Sequence, residues 1–87
     1  MKLSGLQDLL PFLNFLRKEK IWYKLDCTRD DAIMVTLTVV GARIEVDFFD
    51  DHIEFSVFTG DESVEDDPDR LFRIIRERWH GSGGSVR

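Results

Sequence analysis

The sequence has a single cysteine, Cys27, and only two prolines among 87 residues. One cysteine cannot form an internal disulfide or a CxxC site, so its scarcity excludes a disulfide framework and favours a reducing cytoplasm. Long apolar runs are also missing, since none approaches the ~20 residues of a membrane-spanning helix. The leucine-rich start is interrupted by polar residues and no small-residue cleavage site follows it, so we expect neither a signal peptide nor a membrane partner.

Basic residues are in deficit, with 12 Lys and Arg against 17 Asp and Glu and a net charge of −5. This sign of charge disfavours a nucleic-acid backbone as a partner. A glycine-rich phosphate loop is lacking too, because Gly41 and Gly60 are isolated, so we predict no nucleotide and no other cofactor. Hydrophobic residues make up 43% and charged residues 33%, which is typical of a small globular domain with one core.

Leucines recur at helical spacing near the start of the chain and predict a first helix that ends at about Lys20. Asp8 is the N-cap that we favour, because Pro11 then lies in the first turn, where its missing N–H does no harm. The alternative start is a capping box made by Ser4 and Gln7.

A second helix is predicted from Pro68 to about His80, since Asp67 before Pro68 is a typical N-cap and first helical residue. Gly81 is the expected stop. The residues after it have linker composition, so we predict a single domain at 1–80 and a flexible tail at 81–87.

Between the helices the apolar period changes to two, which predicts four strands. Their expected bounds are about Trp22 to Cys27, Ala32 to Val40, Arg43 to Asp50 and Ile53 to Phe58. The predicted fold is α+β with the order α-β-β-β-β-α. It is a four-stranded antiparallel meander with both helices packed on its one apolar face.

The strand register is predicted from two-residue loops. A loop at Gly41-Ala42, with glycine first as a type II′ turn prefers, pairs Val39 with Ile44, Leu37 with Val46, Val35 with Phe48, Thr38 with Glu45 and Thr36 with Asp47. A loop at Asp51-His52 sets Phe48 against Phe55 and Val46 against Val57. Alternation then gives one apolar and one polar face, with Tyr23, Leu25 and Cys27 extending the apolar face.

The polar face, which we call the open face, is predicted to carry Trp22, Met34, Val40, Phe49 and Phe58 among charged residues. Large apolar groups at a surface mark a partner or self-association site. The candidate partner-binding residues are Trp22, Met34, Glu45, Asp47, Phe49, Glu54 and Phe58. The alternative is that the tail, loops or helix ends cover these side chains.

Charge is polarised, since no Lys or Arg occurs between Ile44 and Asp69 and acids are frequent there. This pattern predicts an acidic surface for a basic protein partner. The alternative is a solvated face whose acids cap the second helix. The part from Gly60 to Asp67 lacks the alternating acids and mid-loop glycine of an EF-hand, so we predict no metal site.

Catalytic constellations are not apparent in the sequence. Cys27 is predicted to be an inert core thiol beside Leu25, and His52 and His80 have no motif partner. Asp47 is predicted to be solvated, with nothing apolar placed to raise the pKa of its carboxyl. We therefore predict no catalytic residues.

A pattern of core-forming and turn-forming positions extends over most of the chain. It comprises Ile21-Trp22-Tyr23-Lys24-Leu25, Arg29-Asp30-Asp31-Ala32-Ile33, Gly41, Ile44-Glu45-Val46-Asp47-Phe48-Phe49, Ile53-Glu54 and Phe58-Thr59-Gly60-Asp61. This pattern resembles small uncharacterised bacterial proteins of similar length, a resemblance that implies no activity.

The function expected from the sequence is a non-catalytic module that acts through the open face. It would bind a protein partner or a second copy of itself, and an immunity or antitoxin-like role against a basic toxin is one version. The alternative is a small enzyme or ligand-binding protein with a pocket between helix 1 and the sheet.

Overall fold

A computed structural model of the chain describes residues 2–27, 29–58, 64–65 and 67–83. A 3-10 turn at Leu6–Asp8 leads into helix α1 (Leu9–Lys18), which is followed by strands β1 (Tyr23–Asp26), β2 (Ile33–Val39), β3 (Ala42–Phe48), β4 (Ile53–Phe58) and β5 (Val64–Glu65), and then by helix α2 (Pro68–Gly83). The predicted α+β fold, with four antiparallel strands between two helices, is confirmed. Strand β5 is an addition, because two residues are too few to show a period of two.

The strands lie in the order β1-β2-β3-β4-β5, and every neighbouring pair is antiparallel. Each strand therefore pairs with the next one along the chain, as the predicted meander requires. Strand β5 extends the sheet beyond β4 through Val64, which lies opposite Ser56. The strand at the opposite end of the sheet is β1, whose outer side has no neighbouring strand among the described residues.

The predicted register of the β2–β3 hairpin is wrong by two residues. Val39 pairs with Ala42, and Leu37 pairs with Ile44. The two loop residues are therefore Val40 and Gly41, and Gly41 takes the second place with φ of 76°. A type II′ turn needs positive φ at the first place, so the predicted turn type is wrong too.

The β3–β4 hairpin shows the same displacement. Phe48 pairs with Ile53, and the Phe49 N–H donates a hydrogen bond of 2.9 Å to the His52 carbonyl oxygen. The turn therefore lies at Asp50-Asp51, one residue before the predicted loop. Because both registers differ from the prediction by an even number, every side chain keeps its predicted face of the sheet.

Both helices pack on the apolar face of the sheet, as predicted. The core combines residues of α1 and α2 with inward-facing strand residues, namely Phe12, Leu13, Leu16, Leu71, Phe72, Ile75, Val35, Leu37, Ile44, Val46, Phe48, Ile53 and Phe55. The Phe72 ring meets those of Phe12 and Phe15 edge-on, at centroid distances of 5.9 and 5.2 Å. Each fully buried Leu, Ile or Phe contributes roughly 1.5–3 kcal/mol through removal of apolar surface from water.

Asp8 directly precedes α1, as predicted, but its carboxylate does not bind a helix N–H. It accepts hydrogen bonds from the Ser4 N–H at 2.7 Å and the Ser4 hydroxyl at 2.8 Å. These bonds, the backbone one first, lower the pKa of the Asp8 carboxyl. Gln7 donates to the Ser4 hydroxyl at 3.0 Å, so the three side chains tie the N-terminal segment to the start of α1.

Helix α1 ends in a Schellman motif two residues before its predicted end. The Lys20 N–H donates to Arg17 O at 3.0 Å and the Ile21 N–H donates to Leu16 O at 2.8 Å. Lys20 has φ of 60°, the left-handed conformation that this motif requires at its turning residue. Leu16 and Ile21 are both buried, which supplies the apolar contact that accompanies the motif.

Helix α2 begins as predicted, with the Asp67 Oδ1 accepting a hydrogen bond of 3.0 Å from the Asp69 N–H. It continues to Gly83, so the predicted end at His80 is wrong. A glycine costs about 1 kcal/mol inside a helix relative to alanine but does not terminate it. The flexibility of the tail 81–87 stays a prediction, and residues 84–87 lie outside the described part of the chain.

The predicted burial of Leu25 and Cys27 is wrong. Both lie on the helix-bearing side of β1, yet Leu25 is 48% exposed and Cys27 is exposed as a free thiol. Strand β1 is an edge, and neither helix covers this end of it. Tyr23, farther along the strand, is half-buried and its hydroxyl accepts a hydrogen bond of 2.9 Å from Arg17 Nε.

Candidate functional site: the open face of the sheet

All seven candidate residues lie on the open face. The Thr38 N–H donates to Trp22 O at 3.4 Å, which extends the β1–β2 register to Trp22. Cross-strand pairing then produces three rows across the face. The rows are Trp22, Thr38, Arg43 and Phe58; Lys24, Thr36, Glu45 and Ser56; and Asp26, Met34, Asp47 and Glu54. The structure thus brings together residues that are 36 positions apart in the chain, from Trp22 to Phe58.

The third row is acidic, with Met34 between Asp26 and Asp47 and with Glu54 beyond Asp47; we call it the acid row. Asp47 is half-buried at its centre, so the prediction that it is solvated is wrong. Burial raises the pKa of the Asp47 carboxyl, Arg29 opposes this shift, and the nearby carboxylates of Glu45 and Glu54 add to it. A cation at this row would favour the ionised form of Asp47.

The bases of the open face are already engaged. Lys24 Nζ lies 3.8 Å from Asp26 Oδ2, and Arg43 Nε lies 3.5 Å from Glu45 Oε2. The Arg43 guanidinium also lies over the Phe58 ring, 4.5 Å from its centroid. Such a cation–π contact leaves Phe58 half-buried, with part of its ring covered by Arg43.

Phe49 is covered by residues of two loops, as the alternative interpretation of the open face expects, and is not an exposed contact. It is 9% exposed yet lies outside the main core, on the open face beyond the acid row. The His52 ring stacks on it with 4.5 Å between centroids, and the Arg29 guanidinium carbon lies 5.1 Å from its centroid. Phe49 is therefore an anchor for the β3–β4 turn and not an accessible contact.

His52 is held between two carboxylates. Its Nδ1 lies 2.7 Å from Asp51 Oδ1 and its Nε2 lies 3.2 Å from Glu54 Oε2. Hydrogen bonding to Asp51, and then to Glu54, raises the pKa of the His52 imidazole. The same bond lowers the pKa of the Asp51 carboxyl. Sequence reasoning missed this cluster, although His52 directly after Asp51 and two residues before Glu54, near the aromatic Phe49, was a signal for it.

Accessible apolar surface on the open face is concentrated at Trp22, which is 61% exposed. Met34 and Phe58 are half-buried, and Val40 is exposed in the β2–β3 turn. Four of the five apolar residues predicted on this face therefore present some surface to water. Trp22 and Phe58 lie at the two ends of the first row, and Met34 lies in the acid row. Apolar side chains interspersed with charged ones occur at protein interfaces.

Thr36 lies in the middle row, between Lys24 and Glu45 on the neighbouring strands. It is buried, and its hydroxyl has no hydrogen-bond partner among the described residues. A buried hydroxyl without a partner costs free energy.

A groove of the described structure lies elsewhere, between the two helices. It has a volume of about 600 Å³ and is lined by Phe15, Asp69, Phe72, Arg73 and Arg76. Between α1 and the sheet, Phe12 and Leu16 are fully buried and fill the space. The middle of α1 therefore leaves no pocket against the sheet. A groove of about 250 Å³ lies beside the turn that leads into α1 and is lined by Leu6, Cys27, Arg29, Asp30, Asp31, Ala32, Ile33 and Asp50.

Metal-ligand clusters and membrane-spanning helices are absent from the residues that the structure describes. In this part of the chain no group of three or more His, Cys, Asp or Glu side chains is placed to hold a metal ion. Residues 60–63 and 66, which belong to the acidic stretch for which a metal site was considered, lie outside it. None of the described helices combines the length and the apolar character needed to cross a membrane.

No family model, no curated protein and no solved structure matches the chain. The resemblance to small bacterial proteins therefore stays a prediction. Function is inferred from the open face alone.

Proposed function

We propose that this chain is a non-catalytic binding module whose open face docks a basic protein partner. The observation that carries the proposal is the acid row, in which Asp47 and Glu54 lie beside the apolar side chain of Met34. A lysine or arginine side chain of the partner would pair with Asp47 and compete with His52 for Glu54. Separate apolar residues would pack against Met34 and against Trp22, two rows away. Immunity or antitoxin-like binding of a basic toxin is one form of this function.

The charge state of the face supports a cationic partner. Lys24 and Arg43 pair with Asp26 and Glu45 in the same chain, and no ion pair engages Asp47 in the described structure. The pKa of the Asp47 carboxyl is raised by burial and by neighbouring acids. A partner's cation would offset that repulsion, so association would be faster at low salt, as for other charge-complementary surfaces.

The compartment in which this binding occurs is also a proposal. An exposed free thiol at Cys27 suits a reducing cytoplasm, where such thiols persist. The enzyme alternative has less support, because Phe12 and Leu16 fill the space between the middle of α1 and the sheet.

The experiment is affinity capture of partners from the source cells by immobilised wild type and two variants. One variant, Asp47→Asn with Glu54→Gln, removes charge from the acid row. The other, Trp22→Ser with Met34→Ser, removes apolar contact surface. We expect both variants to lose a basic protein that the wild type retains, and we expect that protein to elute with salt.

The matched control is Leu10→Ser, because Leu10 is 70% exposed on α1, away from the open face. It should retain the partner as the wild type does. Circular dichroism would establish that each variant is folded. Equal capture by wild type, both face variants and the control would overturn the proposal.

A further inference from the structure

The outer edge of β1 offers unpaired backbone groups to a second strand. The Thr38 N–H donates to Trp22 O, so the backbone groups of Trp22 point towards β2. The backbone N–H and C=O groups of successive residues in an antiparallel strand point to opposite sides. The groups of Lys24 and Asp26 therefore also point towards β2. The N–H and C=O groups of Tyr23 and Leu25 therefore point away from the sheet.

Exposed apolar side chains flank this edge on both sides of the sheet. Trp22 is 61% exposed on the open face, and Leu25 is 48% exposed on the helix-bearing face. Cys27 is exposed on the same face as Leu25. An edge strand with apolar residues on both faces is favourable for pairing with another strand.

The charges of β1 determine which strand fits it. Lys24 and Asp26 lie on one face, two residues apart, with 3.8 Å between Nζ and Oδ2. In an antiparallel arrangement about Leu25, Lys24 of one copy lies opposite Asp26 of the other, and the reverse pair follows by symmetry. Two antiparallel copies of β1 therefore place opposite charges against each other.

We propose that two copies of this chain pair through their β1 strands, antiparallel, on a two-fold axis at Leu25. Leu25 of one copy then lies opposite Leu25 of the other, and Tyr23 lies opposite Cys27. The outward backbone groups of Leu25 form the central pair of hydrogen bonds. The two sheets become one continuous sheet, with both open faces on the same side and an isologous interface.

Charge and the pleat of the sheet favour a two-fold axis at Leu25 over an axis between two residues or at Lys24. A continuous sheet requires opposite residues to share a face, so the axis must pass through a residue and not between two residues. An axis at Lys24 would set the two Lys24 side chains against each other, which is unfavourable for like charges directly opposite. An axis at Leu25 gives two attractive charge pairs and one apolar contact.

This pairing does not depend on the proposed function, because it uses the edge of the sheet and, although it engages Asp26, leaves Asp47 and Glu54 of the acid row free. A wild type that is monomeric but captures a basic partner would overturn only the pairing. A wild type that is dimeric but captures no basic partner would overturn only the proposed function.

Disulfide trapping tests the register. In a Cys27→Ser background, Leu25→Cys places two thiols opposite each other, at a Cα separation of about 5.5 Å that a disulfide can span. We expect mild oxidation to give covalent dimers on non-reducing electrophoresis. The matched control is Lys24→Cys in the same background, whose thiols are offset by two residues and should not cross-link.

Light scattering of the full chain measures the charge pairs without a cross-link. Lys24→Asp should weaken dimerisation roughly tenfold, because two attractive pairs become repulsive. Lys24→Asp combined with Asp26→Lys should restore it. Both residues are at the surface, so circular dichroism should show unchanged folding. Monomers at every concentration, or cross-linking of Lys24→Cys in preference to Leu25→Cys, would overturn the proposal.

Discussion

The imidazole ring of His52 lies parallel to the phenyl ring of Phe49, with an angle of 1° between the ring planes. Both ring nitrogens of His52 face carboxylates, those of Asp51 and Glu54. The side chain therefore joins the β3–β4 turn to the start of β4 while it covers Phe49. A protonated imidazole satisfies this arrangement best, since it can donate to both carboxylates at once.

The pKa of His52 is expected to lie above its ordinary value of 6.5, and Asp51→Asn should lower it. Because the folded-state pKa is the higher one, the stability that His52 contributes is fully present below its unfolded pKa and is lost as pH rises through its folded pKa. NMR titration of the imidazole protons measures the shift, with His52→Gln to assign the signals. A pKa at or below 6.5 in the wild type would contradict the arrangement.

Gly5→Ala is expected to destabilise the protein by roughly 1–3 kcal/mol. Gly5 has φ of 153°, and a Cβ there would lie 2.5 Å from the Asp50 carbonyl oxygen. Chemical denaturation measures the loss, with Gly41→Ala as the comparison. Gly41 also has positive φ, but its nearest neighbour is the flexible end of Arg78 at 3.1 Å. A smaller loss for Gly5→Ala than for Gly41→Ala would argue against close packing of the N-terminal segment on the β3–β4 turn.

Lys20→Gly should stabilise the protein by about 0.5–1 kcal/mol, because glycine adopts the left-handed conformation without strain. The matched control is Lys18→Gly, which removes a charge of the same sign at the last residue of α1 and should be destabilising. Thermal or urea unfolding distinguishes the two. Equal effects of both substitutions would show that Lys20 does not terminate α1 in the way described.

Thr36→Val should stabilise the protein by roughly 1 kcal/mol, since it removes a buried hydroxyl that has no partner in the described structure and keeps the shape of the side chain. Thr38→Val, at an exposed position of the same strand and face, is the control and should be nearly neutral. Urea unfolding measures both variants. Destabilisation by Thr36→Val would mean that the hydroxyl makes a hydrogen bond in solution.

Element order and the two faces of the sheet could be predicted because both depend on local periodicity. The N-caps Asp8 and Asp67 and the alternation in β2 and β3 were sufficient for that. The register was harder, since moving a turn by one residue shifts the pairing by two and leaves every side chain on the same face. The hydrophobic pattern is therefore the same whether Val39 pairs with Ile44 or with Ala42. Only the conformation of Gly41 distinguishes the two registers.

The errors at Leu25, Cys27 and Phe49 have another cause. Alternation gives the face on which a residue lies but not what covers that face. Leu25 and Cys27 lie on the helix-bearing side at a place that the helices do not reach, while Phe49 lies on the open side under His52 and Arg29. Whether these side chains are covered depends on where α1 and two loops pack in the tertiary structure. A short stretch of neighbouring residues carries no information about that packing. The seven candidate residues nonetheless lie on one face as predicted. Alternation along a strand determines the face of a residue whether or not another element covers that face.

The two tryptophans occupy contrasting environments. Trp79 Nε1 donates a hydrogen bond of 2.9 Å to Glu19 O and so connects α2 to the end of α1, whereas Trp22 is mostly exposed beside the sheet edge. The chain consequently carries two intrinsic fluorophores that report different events. Emission from Trp79 would follow detachment of the C-terminal helix, and quenching or a blue shift at Trp22 would follow occupation of the open face or of the β1 edge. A pair of single-tryptophan variants would therefore allow folding and association to be followed separately in the same protein, without an added label.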